Sequence, residues 1–513
     1  MLVFAGCHNE FTRAEFVFLN GAEPETLDPA LITGQPEGRI ANALFEGLMR
    51  FNEKGEPVPG VAERWEISED GRVYTFYLRK DARWSNGAPV TADDFYRSWE
   101  RAMNPATGSA YVSQYFFIEN AEEYAEGRLN DFSKVGVRVV DPYTLQVTLK
   151  HPTAFFLDLC AFITLAPVPV DVIQKYGDNW TKPGNMVCNG AYTLTTWRLN
   201  DHIRLTKNPH YWNRDSVALK TVDALPTSSA NTAFNFYDTG LADLLMDKGL
   251  IPTQLLEELK KRPDFHSAPF LGTYFLRFNC TRPPFNDPRV RQAFALVINK
   301  PLLVEKITRA GEKPARSLVP PGTGGYTPPE GPLLEPEKAR ALLAEAGYPG
   351  GKGFPPVRYL YSAGQINEAI AVEIQAMLQR ELGVRVELTR QEWKVYLNSM
   401  NNLDFDLCRA SWIGDYNDPY TFLSIFTTND GNNRTGWSNA EYDALIEAAA
   451  REPDQEKRFA LFRKAETILY SKDVPIVPLY FYEGIMLYDG NRIGGIEANL
   501  LDEHPIQAIY LKK

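Results

Sequence analysis

The stretch "GVAERWEISEDGRVYTFYLRKDARWSNGAPVTADDFYRSWERAM", residues 60–103, holds the densest structural pattern in the chain. "EDGR" has the composition of a turn. "VYTFYLR" then alternates, with Tyr74, Phe76 and Leu78 on one face of a strand. "SNGAP" is a second turn, and Thr91 follows as the cap of a helix. Asp93 and Asp94 place two carboxylates at the positive end of that helix. Strand and helix thus succeed each other within one short segment.

The same alternation extends outward. Upstream, "EFVFLNGAEPETLDP" reads as a strand and a polar turn. "EGRIANALFEGLMRF" has Ile40, Ala43, Leu44 and Leu48 at helical spacing. Downstream, "KVGVRVVDPYTLQVTLK" is a hairpin turning at Asp141-Pro142, and "NGAYTLTTWRLNDHIRLTKNPHYW" is another pair of strands. "TYFLRFNC" and "VPIVPLYFY" read as strands. "DPRVRQAFALVINKPLLVEKITRAG" reads as two helices meeting at Lys300-Pro301, and residues 313–336 as a long Pro- and Gly-rich loop. "INEAIAVEIQAMLQRELGVRVELTRQEW" is a helix, a stop at Gly383 and a strand. Hairpins dominate the first half and helix–strand alternation the second, so the chain is α/β with at least two sheets.

The 513 residues suggest two to four domains. With 44% hydrophobic and 23% charged residues the chain is globular, and its net charge of −11 argues against a nucleic-acid or anionic-membrane surface. Aromatic residues make up 12%, which fits filled cores or a cavity for organic ligands. Enzyme signatures are weak. "GTGG" at 322–325 is followed by Tyr326 instead of the Gly-Lys-Ser/Thr of a phosphate loop. The six histidines lack metal-site spacing, and no GxSxG or CxxC occurs. Cys160, Cys188, Cys280 and Cys408 allow three pairings between which the sequence does not choose, and isolated buried thiols are the expected state. Neither cofactor nor metal is expected.

The most informative carboxylate lies in "CRASWIGDYNDPYTF", residues 408–422. Asp415 sits among large aromatics, which strip water from it, so it needs a cation. Arg409 could supply one within the chain, or a ligand could. Asp415 with Asp418 is also a weak glycosidase pattern, since two carboxylates must flank a scissile bond.

Seven segments in order, namely residues 60–103, "PGNMVCNGAYTL", "KNPHYWN", "PPFNDPRVRQAFALVINK", "LLAEAGY", "RQEWKVYL" and "GDYNDPYTFL", resemble the bacterial oligopeptide-binding proteins, the extracytoplasmic solute receptors of ABC peptide importers. The resemblance implies a periplasmic-binding-protein-like fold of two lobes joined by a two-stranded hinge, one lobe carrying an extra α/β domain. Mapped here, lobe I would be residues 15–44, 168–271 and 484–513, the extra domain 45–167, and lobe II 272–483. Asp415 would meet the ammonium of a bound peptide. Arg409 would meet its carboxylate end or main chain, and Lys306 would be a basic residue used for longer peptides. Trp412, Trp393 and Tyr111 would wall side-chain pockets, the backbone around Ser411 would face an extended ligand, and Gln35 and Asn367 would line the site. Two positions that are basic in the family carry Met400 and Asn367 here, and a cysteine pair is replaced by Gly272 and Ile413. The implied partners are short peptides and a membrane-embedded ABC permease, with a monomeric receptor. A murein peptide, a dipeptide or a metal chelate are alternative ligands, and a secreted hydrolase is the alternative class.

The first ten residues, "MLVFAGCHNE", resemble the end of a lipoprotein signal, with small and apolar residues before Cys7. The basic region and most of the apolar stretch of such a signal are missing. The expectation is therefore a truncated start, residues 1–14 as signal remnant and tether, Cys7 as the lipidated residue of a periplasmic or cell-envelope protein, and ordered structure from about Glu15.

Overall fold

The structure is a computed structural model, and it describes residues 13–428 and 430–513. Cys7 lies outside the described residues. The large sheet has eleven strands: β1 (Phe16–Gly21), β2 (Tyr192–Arg198), β3 (His202–Lys207), β4 (Thr221–Pro226), β5 (Leu244–Leu245), β6 (Phe265–Phe278), β7 (Lys313–Pro314), β8 (Val357–Ser362), β9 (Val386–Gln391), β10 (Leu407–Ile413) and β11 (Ile476–Tyr488). Their order is β9-β8-β10-β6-β11-β5-β1-β4-β3-β2, with β7 paired to β11.

Two strands tie the sheet together. β6 has 14 residues and β11 has 13, so each reaches about 45 Å at ~3.3 Å per residue. Their antiparallel register runs from Phe265↔Leu487 to Arg277↔Ile476 and breaks between Pro269 and Thr273. On one side of the break β11 pairs with β5, and β5 with β1. On the other side β6 pairs with β10. The sequence pattern reveals only the second half of β6, where every side chain from Leu271 to Phe278 is buried. Its first half alternates poorly and contains Pro269.

Residues 60–103 fold as read. Ala62–Ile67, Val73–Leu78, Thr144–Thr148 and Val137–Asp141 form a separate four-stranded antiparallel sheet. Tyr74, Phe76 and Leu78 are its buried face, each worth ~1.5–3 kcal/mol relative to exposure. The helix Ala92–Met103 starts after Thr91, whose amide and hydroxyl donate to the Asp94 carboxylate at 2.7 and 2.9 Å. It buries Phe95, Trp99 and Met103, and the Trp99 indole donates to the Leu165 carbonyl at 2.9 Å.

One reading is corrected. The helix Gln35–Leu44 buries Ile40, Ala43 and Leu44, but Leu48 lies beyond it. The chain turns extended at Phe45 and passes Gly47, where a Cβ would stand 2.5 Å from the Cys160 carbonyl oxygen. Leu48 is buried from that extended segment, its carbonyl held by Gly60 and Ala62. Cys160, Cys188, Cys280 and Cys408 are free thiols.

Candidate functional site

β10 has an open edge. Along one side it pairs with β6 over its full length, from Phe278↔Leu407 to Gly272↔Ile413. On the other side β8 meets only Leu407 and Cys408. From Arg409 to Ile413 no strand covers that second edge among the described residues. Such an edge offers backbone donors and acceptors to an added strand.

Asp415 stands just past the end of this edge. Gly414 separates them, and a Cβ there would be 2.6 Å from the Leu271 side chain, so glycine allows the close approach. The Asp415 amide donates to the Thr421 hydroxyl at 3.1 Å, and the Gln114 side chain donates to the Asp415 carboxylate at 3.3 Å. No cation reaches it among the described residues. Burial pushes its pKa up to about 6, against the lowering effect of the Gln114 and Thr421 bonds. The side chain keeps partial solvent contact, yet it sits in a dense surround that desolvates it. Tyr111 is close enough that its phenol, already raised by burial, is raised further by the Asp415 charge, to about 12. Its ring packs on Phe162 at 5.4 Å.

Gln114 is 301 residues from Asp415 in sequence and reaches it from the four-stranded-sheet side of the molecule. Phe155 comes from the same side and stacks on Tyr416 with centroids 4.1 Å apart. Asp158 faces this junction. Burial, then the Asp418 charge, raises its pKa to about 6. These contacts join two sides of a cleft, and nothing in local sequence spacing signals them.

The Arg409–Asp415 pair does not form. Arg409 instead holds its guanidinium carbon 5.0 Å above the Tyr274 ring, with Nε lacking a partner. Ser411 lies opposite Tyr274 on the ladder. The Trp412 indole donates to the Thr421 hydroxyl at 3.4 Å, so Trp412 and Asp415 share one threonine. Trp393 opens the helix Trp393–Asn401, and its side chain lies outside the described residues. Gln35 and Asn367 line one cavity of about 270 Å³ together with Arg39, Lys248, Tyr274 and Tyr482. Asn367 accepts from the Tyr274 hydroxyl at 3.2 Å, and Gln35 accepts from Arg39 at 3.3 Å. Lys306 is exposed on the turn Val304–Thr308 and does not line that cavity.

Asp418 is already used. Arg458 donates to both of its oxygens at 2.6 and 2.7 Å in a buried pair. Among the described residues no group of three or more His, Cys, Asp or Glu stands where it could hold a metal ion.

A sheet spanning two halves, with an open strand edge and undercompensated charge at their junction, defines a binding protein of the two-lobed solute-receptor type. Residues 56–434 match the family described as "Bacterial extracellular solute-binding proteins, family 5 Middle", and the chain belongs to that family. It is 40% identical over 504 residues to the periplasmic oligopeptide-binding protein OppA of Escherichia coli, covering 96% of this chain and 92% of that protein. The E. coli murein tripeptide binding protein MppA superposes with a TM-score of 0.87 at 36% identity, covering 98% of this chain and 99% of the other. The unliganded open form of MppA superposes with a TM-score of 0.78 at 36% identity over 97% of both chains.

Proposed function

We propose that this chain is an extracytoplasmic receptor that captures short peptides between its lobes and delivers them to a membrane-embedded ABC permease. The observation that carries this is the Asp415 carboxylate, desolvated without a cation at the end of an open strand edge. A peptide ammonium supplies the missing charge and three donors. The extended peptide backbone then pairs along Arg409–Ile413, which is blind to side chains and tolerates many sequences. Tyr111 and Trp412 wall the ammonium end. Arg409 holds negative charge farther along, and Gln35 and Asn367 line the cavity beside it. Lys306, exposed outside that cavity, keeps the role with longer peptides that the resemblance implies.

The lobes are assigned as residues 15–44, 168–271 and 484–513 for lobe I with 45–167 as its extra domain, and 272–483 for lobe II. The hinge is the register break of β6 and β11. The receptor acts as a monomer, without cofactor and without turnover, in the periplasm or cell envelope, with Cys7 as its lipid anchor. The relatives' names favour oligopeptides or murein peptides as ligand. A hydrolase reading is disfavoured because Asp418, the second carboxylate it would need, is consumed by Arg458.

Calorimetric titration with tri-alanine and N-acetyl-tri-alanine tests this reading. Acetylation removes the ammonium and should weaken binding by ~2–5 kcal/mol. Equal affinity for the two peptides would refute the role of Asp415, and hydrolysis of either would refute the receptor reading.

A further inference from the structure

Three arginines are buried among the described residues: Arg458, Arg291 and Arg277. Arg458 has the Asp418 carboxylate. Arg291 donates to the carbonyls of Asp473, Val474 and Phe285. Arg277 has neither kind of partner. It is 2% exposed, its Nη1 reaches only the Met400 sulfur at 3.9 Å, and its Nε has no partner. Its guanidinium carbon lies 5.3 Å from the Phe275 ring centroid and 5.9 Å from that of Phe426.

Arg277 faces Cys408 across the β6–β10 ladder, and Arg409 faces Leu276. Successive side chains point to opposite faces of a strand, so Arg277 and Arg409 lie on opposite faces of the same ladder. Arg434 is a third guanidinium nearby. It is half-buried, and its Nε also lacks a partner. Burial, then repulsion from Arg434, lowers the Arg277 pKa to about 10. Asp430 is the carboxylate in this neighbourhood and feels the charge of both arginines, Arg434 ahead of Arg277, but its Oδ1 accepts the Asn432 amide at 2.7 Å and it stands too far from either arginine for an ion pair. A desolvated cation without an ion-pair partner is costly, and an incoming anion offsets that cost.

We propose that Arg277, with Arg434 beside it, forms a pocket for a carboxylate of the bound ligand on the face of the β6–β10 ladder opposite Arg409. This rests on the receptor reading above. It also revises the reading of Met400 as a lost positive charge: Arg277 brings a guanidinium to the Met400 sulfur from the neighbouring strand. The carboxylate is an acidic side chain of the peptide or its C-terminus.

The test titrates tetra-alanine, its variants with Glu or Gln at positions two to four, and its C-terminal amide against wild type, Arg277→Met and Arg434→Gln. For an acidic side chain, wild type binds one Glu peptide about tenfold tighter than its Gln twin, and Arg277→Met erases that ratio. For the C-terminus, amidation costs wild type about tenfold and Arg277→Met almost nothing. In both cases Arg277→Met keeps the penalty for N-acetylation, which reports on Asp415, and the ligand-free melting temperature does not fall. Unchanged Glu/Gln and amide ratios in both variants overturn the proposal and leave Arg277 a packing residue. If Arg277→Met does not fold, the same ratios in Arg434→Gln decide. Failure of wild type to bind any of the peptides overturns the receptor reading, and this pocket with it.

Discussion

Asp415 and Asp418 stand three residues apart in one loop and meet opposite electrostatic fates. Asp418 takes two hydrogen bonds from Arg458 and one from the Tyr420 amide. Asp415 takes neutral donors only, from Gln114 and Thr421. The same contrast separates Arg458 from Arg277. A buried charge that serves the fold is satisfied from within, by an opposite charge in the Asp418–Arg458 pair or by backbone carbonyls at Arg291. At Asp415 that satisfaction is missing, and the gap stands at the end of the open edge of β10. Undercompensated charge therefore points to ligand more reliably than charge itself.

The sharpest way to break this comparison is to remove the Asp418 partner. Arg458→Met leaves a buried carboxylate alone and should destabilise the fold by ~3–5 kcal/mol, read by denaturant unfolding. A loss below about 1 kcal/mol would mean that the pair is not structural. Asp415→Asn should do the reverse, leaving the fold intact while peptide affinity falls by ~2–5 kcal/mol. Calorimetry showing wild-type affinity in that variant would erase the distinction between the two carboxylates.

Met400→Arg probes the other end. The resemblance makes this position basic in the family, so an arginine there would be a return to the family pattern. In the structure Met400 is 4% exposed and touches Arg277. A second buried cation there should instead destabilise the ligand-free fold by ~2–3 kcal/mol. A melting temperature at or above wild type would show that the site has room for the charge.

The smallest effect is in pH. The Asp415 pKa is raised from 3.8 to about 6, so ionising it in the ligand-free fold costs stability. That cost is absent below the ordinary carboxylate range and complete above about pH 6. Ligand-free wild type should therefore lose at most ~3 kcal/mol as pH rises through this window, cut to ~1–2 kcal/mol by the solvent contact the side chain keeps, and Asp158 adds a change of the same sign. Asp415→Asn should flatten the Asp415 share of the curve. Peptide affinity should move oppositely, falling below about pH 6 as the carboxylate protonates. A pH-independent melting difference between wild type and Asp415→Asn would contradict the desolvation of Asp415.

Much of the local structure is legible in the residues. The buried face of Tyr74, Phe76 and Leu78, the Thr91 cap and the stop at Gly383, whose φ is +68°, all follow from interactions within a few positions. The same reading carries Leu48 into a helix that ends at Leu44, because periodicity cannot register the close approach of Gly47 to Cys160. It also shortens β6, whose first half runs through Pro269 without alternation.

By itself the sequence determined many of the strands and helices, and that a carboxylate among aromatics at Asp415 requires a cation. Those conclusions rest on side-chain periodicity, capping and desolvation, which are local properties. Only the tertiary structure decided that Arg409 is not that cation, that Arg458 belongs to Asp418, that Gln114 crosses the cleft, and that Arg277 lies beside Met400 without a counter-charge. Charge compensation depends on which group arrives from a distant part of the chain, and in a desolvated interior a few ångströms decide whether two charges form a pair.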